Sequence, residues 1–222
     1  MKMRTRLLRG IVGIEAAIVL IAFVVVAAAL AFVALNMGFY TTQRSKEVMA
    51  QGLAQASSSL EVDGTVLAKV DTTNQEVTCV IIPVRLSAGQ KDVDLTPGKA
   101  DIAVWVINKM AGTNLYSDKN QAVTSVEGYD INTLCNHASG ASNGVIVVWG
   151  PGNNGDTVLQ PGEKVLVVIH FPTLATALSA PTAAGLKPYD VFKVEIKPPI
   201  GAALTVERTV PASLAYSVID LG

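Results

Sequence analysis

The stretch that decides the fold is residues 11–35, IVGIEAAIVLIAFVVVAAALAFVAL, which carries one charged side chain, Glu15. A membrane-spanning helix needs about 20 apolar residues, whereas the apolar core of a secretory signal has only about 7–15. The 15 Val, Ile, Leu and Phe side chains of this run would cost on the order of 20–45 kcal/mol to expose to water, at ~1.5–3 kcal/mol each. We therefore expect the segment to stay in a bilayer or to pack against copies of itself.

Residues 1–10, MKMRTRLLRG, contribute four basic residues and end in Gly10. The positive-inside rule places this segment in the cytoplasm and the chain after about residue 36 outside. The other basic residues are scattered, which argues against nucleic-acid binding. A cut after Gly10 would remove the basic cluster and leave Ile11 with a free α-amine.

Glu15 lies four residues after Ile11, one helical turn away. A carboxylate there meets the favourable end of the helix dipole and can pair with the α-amine of its own chain or of a neighbour. Because an unpaired carboxylate in apolar surroundings is costly, this pairing would set the axial register of packed helices. Eight alanines in the same run, with Ala27 and Ala31 at small-x-x-x-small spacing, permit close approach of helices.

The helical pattern continues past the apolar run without a proline. Met49, Leu53, Ala56 and Leu60 fall on one face at spacings of four, three and four. The sequence therefore predicts one long helix over residues 11–61, apolar all round in its first half and amphipathic in its second.

Residues 62–222 change to short runs rich in Val and Ile, such as VTCVIIPVRL, GVIVVWG and VFKVEIK, most of them bounded by turn residues. Eight such runs without a second amphipathic helix predict an antiparallel β-sandwich, Ig-like or jelly-roll-like. The predicted fold class is therefore α+β, with a long N-terminal helix before the sandwich. Residues 108–144 are the least periodic and are interpreted as a long surface excursion.

Two cysteines, Cys79 and Cys135, lie in the part predicted to be outside the cell, where a disulfide can persist. A bridge between them would stabilise the fold by roughly 4 kcal/mol for a loop of that length. The alternative is a pair of separate buried thiols.

Two further features have competing interpretations. The loop PGNNGDTVLQPGEK contains Asn154, Asp156 and Glu163, whose oxygens suit calcium, but a hairpin turn explains the loop without an ion. Trp105 and Trp149 lie in apolar strands, which indicates core positions; the alternative is sugar stacking.

The segment RLLRG/IVGIEAAIVLIAF resembles the N-terminus of archaeal flagellins (archaellins), in the type IV pilin-like superfamily. The matching elements are the basic segment, Gly10, Gly13 and Ile14 at the third and fourth mature positions, and the IVLIAF core. Glu15 falls where type IV pilins carry their acidic residue. The stretches NNGDTVLQPGEKVLVVI and VEIKPPIGAALTVERTVPASL also resemble archaellins.

This resemblance implies a class III signal peptide over residues 1–10, cut by a prepilin peptidase between Gly10 and Ile11. It implies an assembly helix over 11–61 and an extracellular β-sandwich domain over 62–222. The implied partners are copies of the chain in a helical filament, the peptidase, an assembly ATPase and a membrane platform protein. The precursor would lie in the cytoplasmic membrane and the product in a cell-surface filament.

The resulting hypothesis is a structural subunit of the archaeal flagellum that serves swimming motility, with no enzymatic activity and no cofactor unless calcium binds. One alternative is a subunit of a non-rotating adhesion pilus with the same processing. Another is a membrane-tethered surface binding module that keeps residues 1–35 as an uncleaved anchor.

Overall fold

A computed structural model gives the fold of this chain. The residues that it describes are 7–56, 59–124, 128–180 and 185–222. The chain divides into two compact units, residues 1–52 and residues 53–222.

The described part of the first unit is one helix, α1 (Leu7–Ala56), of 50 residues, whose last four residues belong to the second unit. Its alanines and leucines favour the helix, and no proline interrupts it. The predicted bounds of 11–61 were wrong at the C-terminal end, because Leu60 begins a strand. Leu60 pairs with Leu86 and is 7% exposed, so burial in a sheet overrides its helical spacing.

The second unit is rich in strands. In chain order they are β1 (Leu60–Val62), β2 (Leu67–Asp71), β3 (Glu76–Leu86), β4 (Val93–Asp94), β5 (Asp101–Val106), β6 (Met110–Gly112), β7 (Ala122–Val123), β8 (Val145–Trp149), β9 (Val158–Leu159), β10 (Lys164–His170), β11 (Val191–Lys197), β12 (Leu204–Thr209) and β13 (Val218–Asp220). The helices are α2 (Ile131–Gly140) and α3 (Phe171–Ala177), with a 3₁₀ turn at Lys119–Gln121.

These strands form two principal sheets. The larger has the order β13-β2-β3-β10-β8-β7, with β1 also paired to β3, and the smaller has the order β12-β11-β5-β6. β4 and β9 form a separate two-stranded ribbon. Every pairing between these strands is antiparallel except that of β7 with β8.

The inner faces of the two principal sheets share one hydrophobic core. Ile82 of β3 and Trp149 of β8 belong to it together with Val104 and Phe192 of the smaller sheet. Phe192 also meets Phe171 of α3 edge to face, with ring centroids 5.7 Å apart. The prediction of a long helix followed by an antiparallel β domain is confirmed, while its Ig-like or jelly-roll-like detail stays a prediction.

The outer face of the larger sheet is covered by α2, so the prediction that no second amphipathic helix exists was wrong. Leu134, Cys135 and Ala138 of α2 pack on Ile81 and on Ile146. All five residues of β8 are buried, because its two faces contact two different layers. A disulfide joins Cys135 to Cys79 of β3, with their Cα atoms 6.0 Å apart.

The interpretation of residues 108–144 as a surface excursion was also wrong in part. The segment includes α2, and both Tyr116 and Gln121 within it are buried. The Oε1 atom of Gln121 accepts backbone hydrogen bonds from Ser117 and Asp118, both at 2.8 Å. Its Nε2 donates to the carbonyl of Val145 at 2.8 Å, which attaches the segment to β8.

Gln121→Ala is expected to lower the free energy of unfolding of the β domain by about 2–4 kcal/mol, because it leaves buried backbone groups without partners. Thermal or denaturant unfolding of detergent-solubilised subunits measures the change. Asn136→Ala, at an exposed position of α2, is the control and should stay within about 0.5 kcal/mol of the parent. Equal stabilities of the two variants would contradict the role given to Gln121.

Candidate assembly site

The apolar side chains of α1 are exposed on every side of the helix. From Ile14 to Leu53, the large hydrophobic side chains are between 58% and 74% exposed. By length and composition, the stretch Gly13–Leu53 is long and apolar enough to cross a membrane. A helix with apolar residues all round must be buried in lipid or in protein. We therefore take α1 as the candidate assembly site.

The sequence-predicted assembly residues all lie on α1. Gly10 and Ile11 are within its helical backbone, although their side chains and the whole of residues 1–6 lie outside the described part. Gly13, Ile14 and Glu15 follow in the next turn and are exposed. A Cβ built at Gly13 would meet nothing within 4 Å, so the packing of this chain does not require a glycine there.

Ala27 and Ala31 are four residues apart and hence lie on the same face of α1, both exposed. Their small side chains leave the backbone accessible there, and a second helix can approach closely at such a position. The geometry of α1 therefore agrees with a helix–helix contact at these residues, which stays a prediction.

Polar side chains in the second half of α1 find partners within the helix. Thr41 Oγ1 donates to the carbonyl of Met37 at 2.6 Å, and Thr42 Oγ1 donates to that of Gly38 at 2.8 Å. Because these hydroxyls are already hydrogen-bonded, they can enter an apolar interface at lower cost. The large apolar side chains of α1, by contrast, remain exposed.

The predicted calcium residues come together from the loops on the two sides of β9. Asn154 Nδ2 donates to Asp156 Oδ2 at 2.9 Å, and the backbone N–H of Asp156 donates to Asn154 Oδ1 at 2.9 Å. Glu163 Oε2 accepts from the backbone N–H of Gln160 at 2.9 Å. These bonds are of the kind that Asx turns make, so the hairpin explains the arrangement without an ion. A calcium site stays a prediction.

Other candidate chemistry was sought in the parts of the chain that the structure describes. They hold no group of three or more His, Cys, Asp or Glu side chains able to bind a metal. His170 caps α3, with Nδ1 2.8 Å from Thr173 Oγ1, and burial lowers the pKa of His170. A neutral imidazole in this position is a helix cap.

An ion-pair cluster that the sequence reasoning missed joins β1, β3 and β10. Arg85 Nε lies 2.7 Å from Glu61 Oε1, and Asp63 pairs with both Arg85 and Lys164. The hydrogen bond from Arg85 lowers the pKa of Glu61, and the hydrogen bond from Lys164 lowers the pKa of Asp63. Both carboxylates are therefore charged at neutral pH. Their ion pairs with Arg85 and Lys164 connect β1, and the residue directly after it, to β3 and β10 at the start of the β domain.

The two tryptophans occupy different environments. Trp149 is fully buried in the core, but Trp105 is on the outer face of the smaller sheet, so the core prediction was wrong for Trp105. The Nζ atom of Lys193, directly opposite on β11, lies 5.6 Å from the centroid of the Trp105 ring. The outer face of this sheet has no second layer like α2 among the described residues, which leaves Trp105 partly exposed.

A helix that presents apolar side chains on every side, followed by a two-sheet domain, defines a class of structural proteins that assemble through the helix. A profile of archaeal-type flagellin matches residues 10–208. A probable flagellin 1 of Aeropyrum pernix is 47% identical over 206 residues, which cover 93% of this chain and 94% of that protein. A probable flagellin 1 of Archaeoglobus fulgidus is 33% identical over 214 residues, which cover 96% and 95%.

Among solved structures, the archaeal flagellum of Methanospirillum hungatei strain JF1 matches with a TM-score of 0.61 and 30% identity, over 93% of this chain and 98% of that chain. The chain belongs to the archaeal-type flagellin family. It is a structural subunit of an extracellular cell-surface filament and not an enzyme.

Proposed function

We propose that the chain is made as a membrane precursor, cut by a prepilin peptidase between Gly10 and Ile11, and built into the archaeal flagellum through α1. The observation that supports this proposal is the exposure of large apolar side chains all round the first half of α1 and on part of its second half, between Ile14 and Leu53. A bundle of such helices would bury every face, with the β domains outermost. An assembly ATPase and a membrane platform protein would supply energy and an insertion site.

The proposed cleavage gives Glu15 a partner. It creates an α-amine at Ile11, one turn before Glu15, and that amine can pair with the carboxylate of its own subunit or of an adjacent one. In an apolar bundle, a carboxylate without a partner is strongly disfavoured. The pairing would therefore reward one axial register between neighbouring helices and penalise the others.

The proposed processing and assembly are tested by shearing appendages from cells and determining the N-terminus and intact mass of this protein. A start at Ile11 in the filament fraction is the expected result. A start at Met1, with the protein retained in the membrane, would contradict the proposal and make the β domain a tethered binding module.

Loss of swimming in a deletion strain would distinguish a motility filament from an adhesion pilus.

Glu15→Ala is expected to reduce filament yield by roughly tenfold or more while membrane insertion is unchanged, because register selection loses a charge pair that is strong in apolar surroundings. Filament mass per cell and precursor level in the membrane are measured in parallel. Glu47→Ala is the matched control, since Glu47 is also an exposed acid on α1 but pairs only with its neighbour Arg44, at 2.6 Å. Unchanged yield in Glu15→Ala would make Glu15 incidental to assembly.

A further inference from the structure

Tyr189 is an exposed aromatic side chain held in an unfavourable backbone conformation. It occupies the third position of the turn 187–190, where its φ is +67° and its side chain is 73% exposed. Pro188 precedes it, and the N–H of Asp190 donates to the carbonyl of Lys187 at 3.1 Å. A turn of this kind favours glycine at the third position, and a bulky residue there is strained. Strain of this kind is concentrated at functional positions.

The turn around Tyr189 is well supported. Asp190 forms an ion pair with Lys109 and accepts the backbone N–H of Lys187 at 2.6 Å. The N–H of Tyr189 itself donates to the carbonyl of Val210 at 2.9 Å. The phenol ring therefore projects from a fixed turn. Ile107, whose N–H donates to the carbonyl of Val191 directly after this turn, is a second apolar side chain there and is 55% exposed.

An apolar groove lies on the outer face of the larger sheet, beside α2. Its volume is about 250 Å³, room for one aromatic ring. The apolar side chains that line it are Leu67, Ile81, Pro83, Tyr129, Ile131, Leu134 and Leu166. The groove is thus a small concave apolar surface of a size that suits one apolar side chain of a partner.

One exposed charged residue beside the turn and one beside the groove are opposite in sign. Lys187, two residues before Tyr189, is exposed. Asp220 of β13 is also exposed and lies directly opposite Leu67, at the side of the groove. A lysine beside the protruding ring and a carboxylate beside the groove favour one orientation of a contact between copies.

We propose that Tyr189 of one subunit inserts into the groove beside α2 of an adjacent subunit, so that the β domains of the filament contact each other as knob and hole. The knob precedes β11 of the smaller sheet and the groove is on the larger sheet, so the contact joins two different surfaces. Such a heterologous contact does not close on itself in a dimer and can propagate along a helical filament. This inference rests on the proposed assembly of the chain into a filament.

The first test uses the unaltered protein. Filaments and detergent-solubilised subunits are treated with a tyrosine-nitrating reagent, and nitration at each tyrosine is quantified by mass spectrometry. Tyr189 should be nitrated in the solubilised subunits and protected by roughly tenfold or more in filaments. Equal nitration of Tyr189 in both samples would overturn the contact. Absence of any filament containing the protein would instead refute the proposed function.

The second test identifies the surface that covers Tyr189. Thr65 is a polar residue that lines the groove. In the double variant Thr65→Cys/Tyr189→Cys, one cysteine lies at the groove and the other replaces the protruding tyrosine. Filaments of this variant are mildly oxidised. A ladder of cross-linked multimers on a non-reducing gel is expected, because each subunit would connect to the next. The matched control Thr65→Cys/Ile200→Cys carries its second cysteine at another exposed apolar position, 51% exposed, and should give monomers.

Filaments of Thr65→Cys/Tyr189→Cys that remain monomeric on the gel, or a control that forms an equal ladder, would overturn the assignment of the groove. If the double variant does not assemble, the nitration pattern of the unaltered filament decides. Protection of Tyr129 together with Tyr189 is then expected, since Tyr129 lines the groove. Protection of Tyr189 without Tyr129 would overturn the assignment.

Discussion

Cells that produce the Gly10→Leu variant are expected to accumulate full-length precursor and to form no filaments. The bond after Gly10 must enter the catalytic site of the proposed peptidase, and a branched side chain at this position blocks close approach of the backbone, which glycine permits. Uncleaved chains would also keep four positive charges directly before the apolar run. Packing those charges into an apolar bundle carries a large desolvation cost, so a precursor that escapes cleavage should still fail to assemble.

Intact mass and N-terminal sequence of the membrane and filament fractions measure this effect. Gly10→Ala serves as the graded control, because a methyl group adds the smallest possible side chain and is expected to leave partial processing. Normal filaments from Gly10→Leu, with a start at Ile11, would remove Gly10 from the processing site. Normal filaments with a start at Met1 would show that assembly needs no cleavage.

The double variant Cys79→Ala/Cys135→Ala is expected to lose about 4 kcal/mol of the free energy of unfolding of the β domain. The two cysteines are 56 residues apart in sequence, and opening a loop of this length restores about that much chain entropy to the unfolded state. The melting temperature should fall by roughly 10 °C for a domain of this size. Alanine is preferred to serine because both positions are almost fully buried, at 0% and 2% exposure, and a hydroxyl there would lack a partner.

Thermal unfolding of detergent-solubilised subunits, with and without a reducing agent, measures this change. The parent protein should lose the same stability on reduction, whereas the double variant should be insensitive to the reductant. This comparison separates the cross-link from the loss of the two sulfur atoms. A parent protein that melts at the same temperature in both conditions would show that the bridge contributes nothing to stability.

The features of the β domain that could be predicted were those that depend on local pattern. Runs such as VFKVEIK alternate between buried and less buried residues, and they form strands within a residue or two of where the pattern places them. The run VIVVW does not alternate, which is typical of a strand covered on both faces. That signal was available in the sequence and pointed to a third layer, but it did not show what the layer was.

The helix that forms this layer was missed although the sequence carries a short signal for it. α2 has the sequence INTLCNHASG, and only Leu134, Cys135 and Ala138 are buried. Ile131, Leu134, Cys135 and Ala138 nevertheless recur at i, i+3, i+4 and i+7, which is the spacing of one helical face, although the pattern covers only ten residues. Its formation depends on the capping carboxylate of Asp130, which accepts the N–H groups of Asn132 at 3.1 Å and Thr133 at 3.2 Å, and on the sheet against which it packs.

The sequence by itself determined the requirement of the N-terminal helix for apolar surroundings. The run 11–35 is apolar on every side. It therefore requires a protein partner or a bilayer, and this conclusion does not depend on the fold of the rest of the chain. The tertiary structure decided which of two similar residues became core and which became surface. Trp105 and Trp149 both lie in apolar strands, but only Trp149 faces the shared core. Alternation along a strand shows which residues share a face, whereas burial depends on whether another layer covers that face.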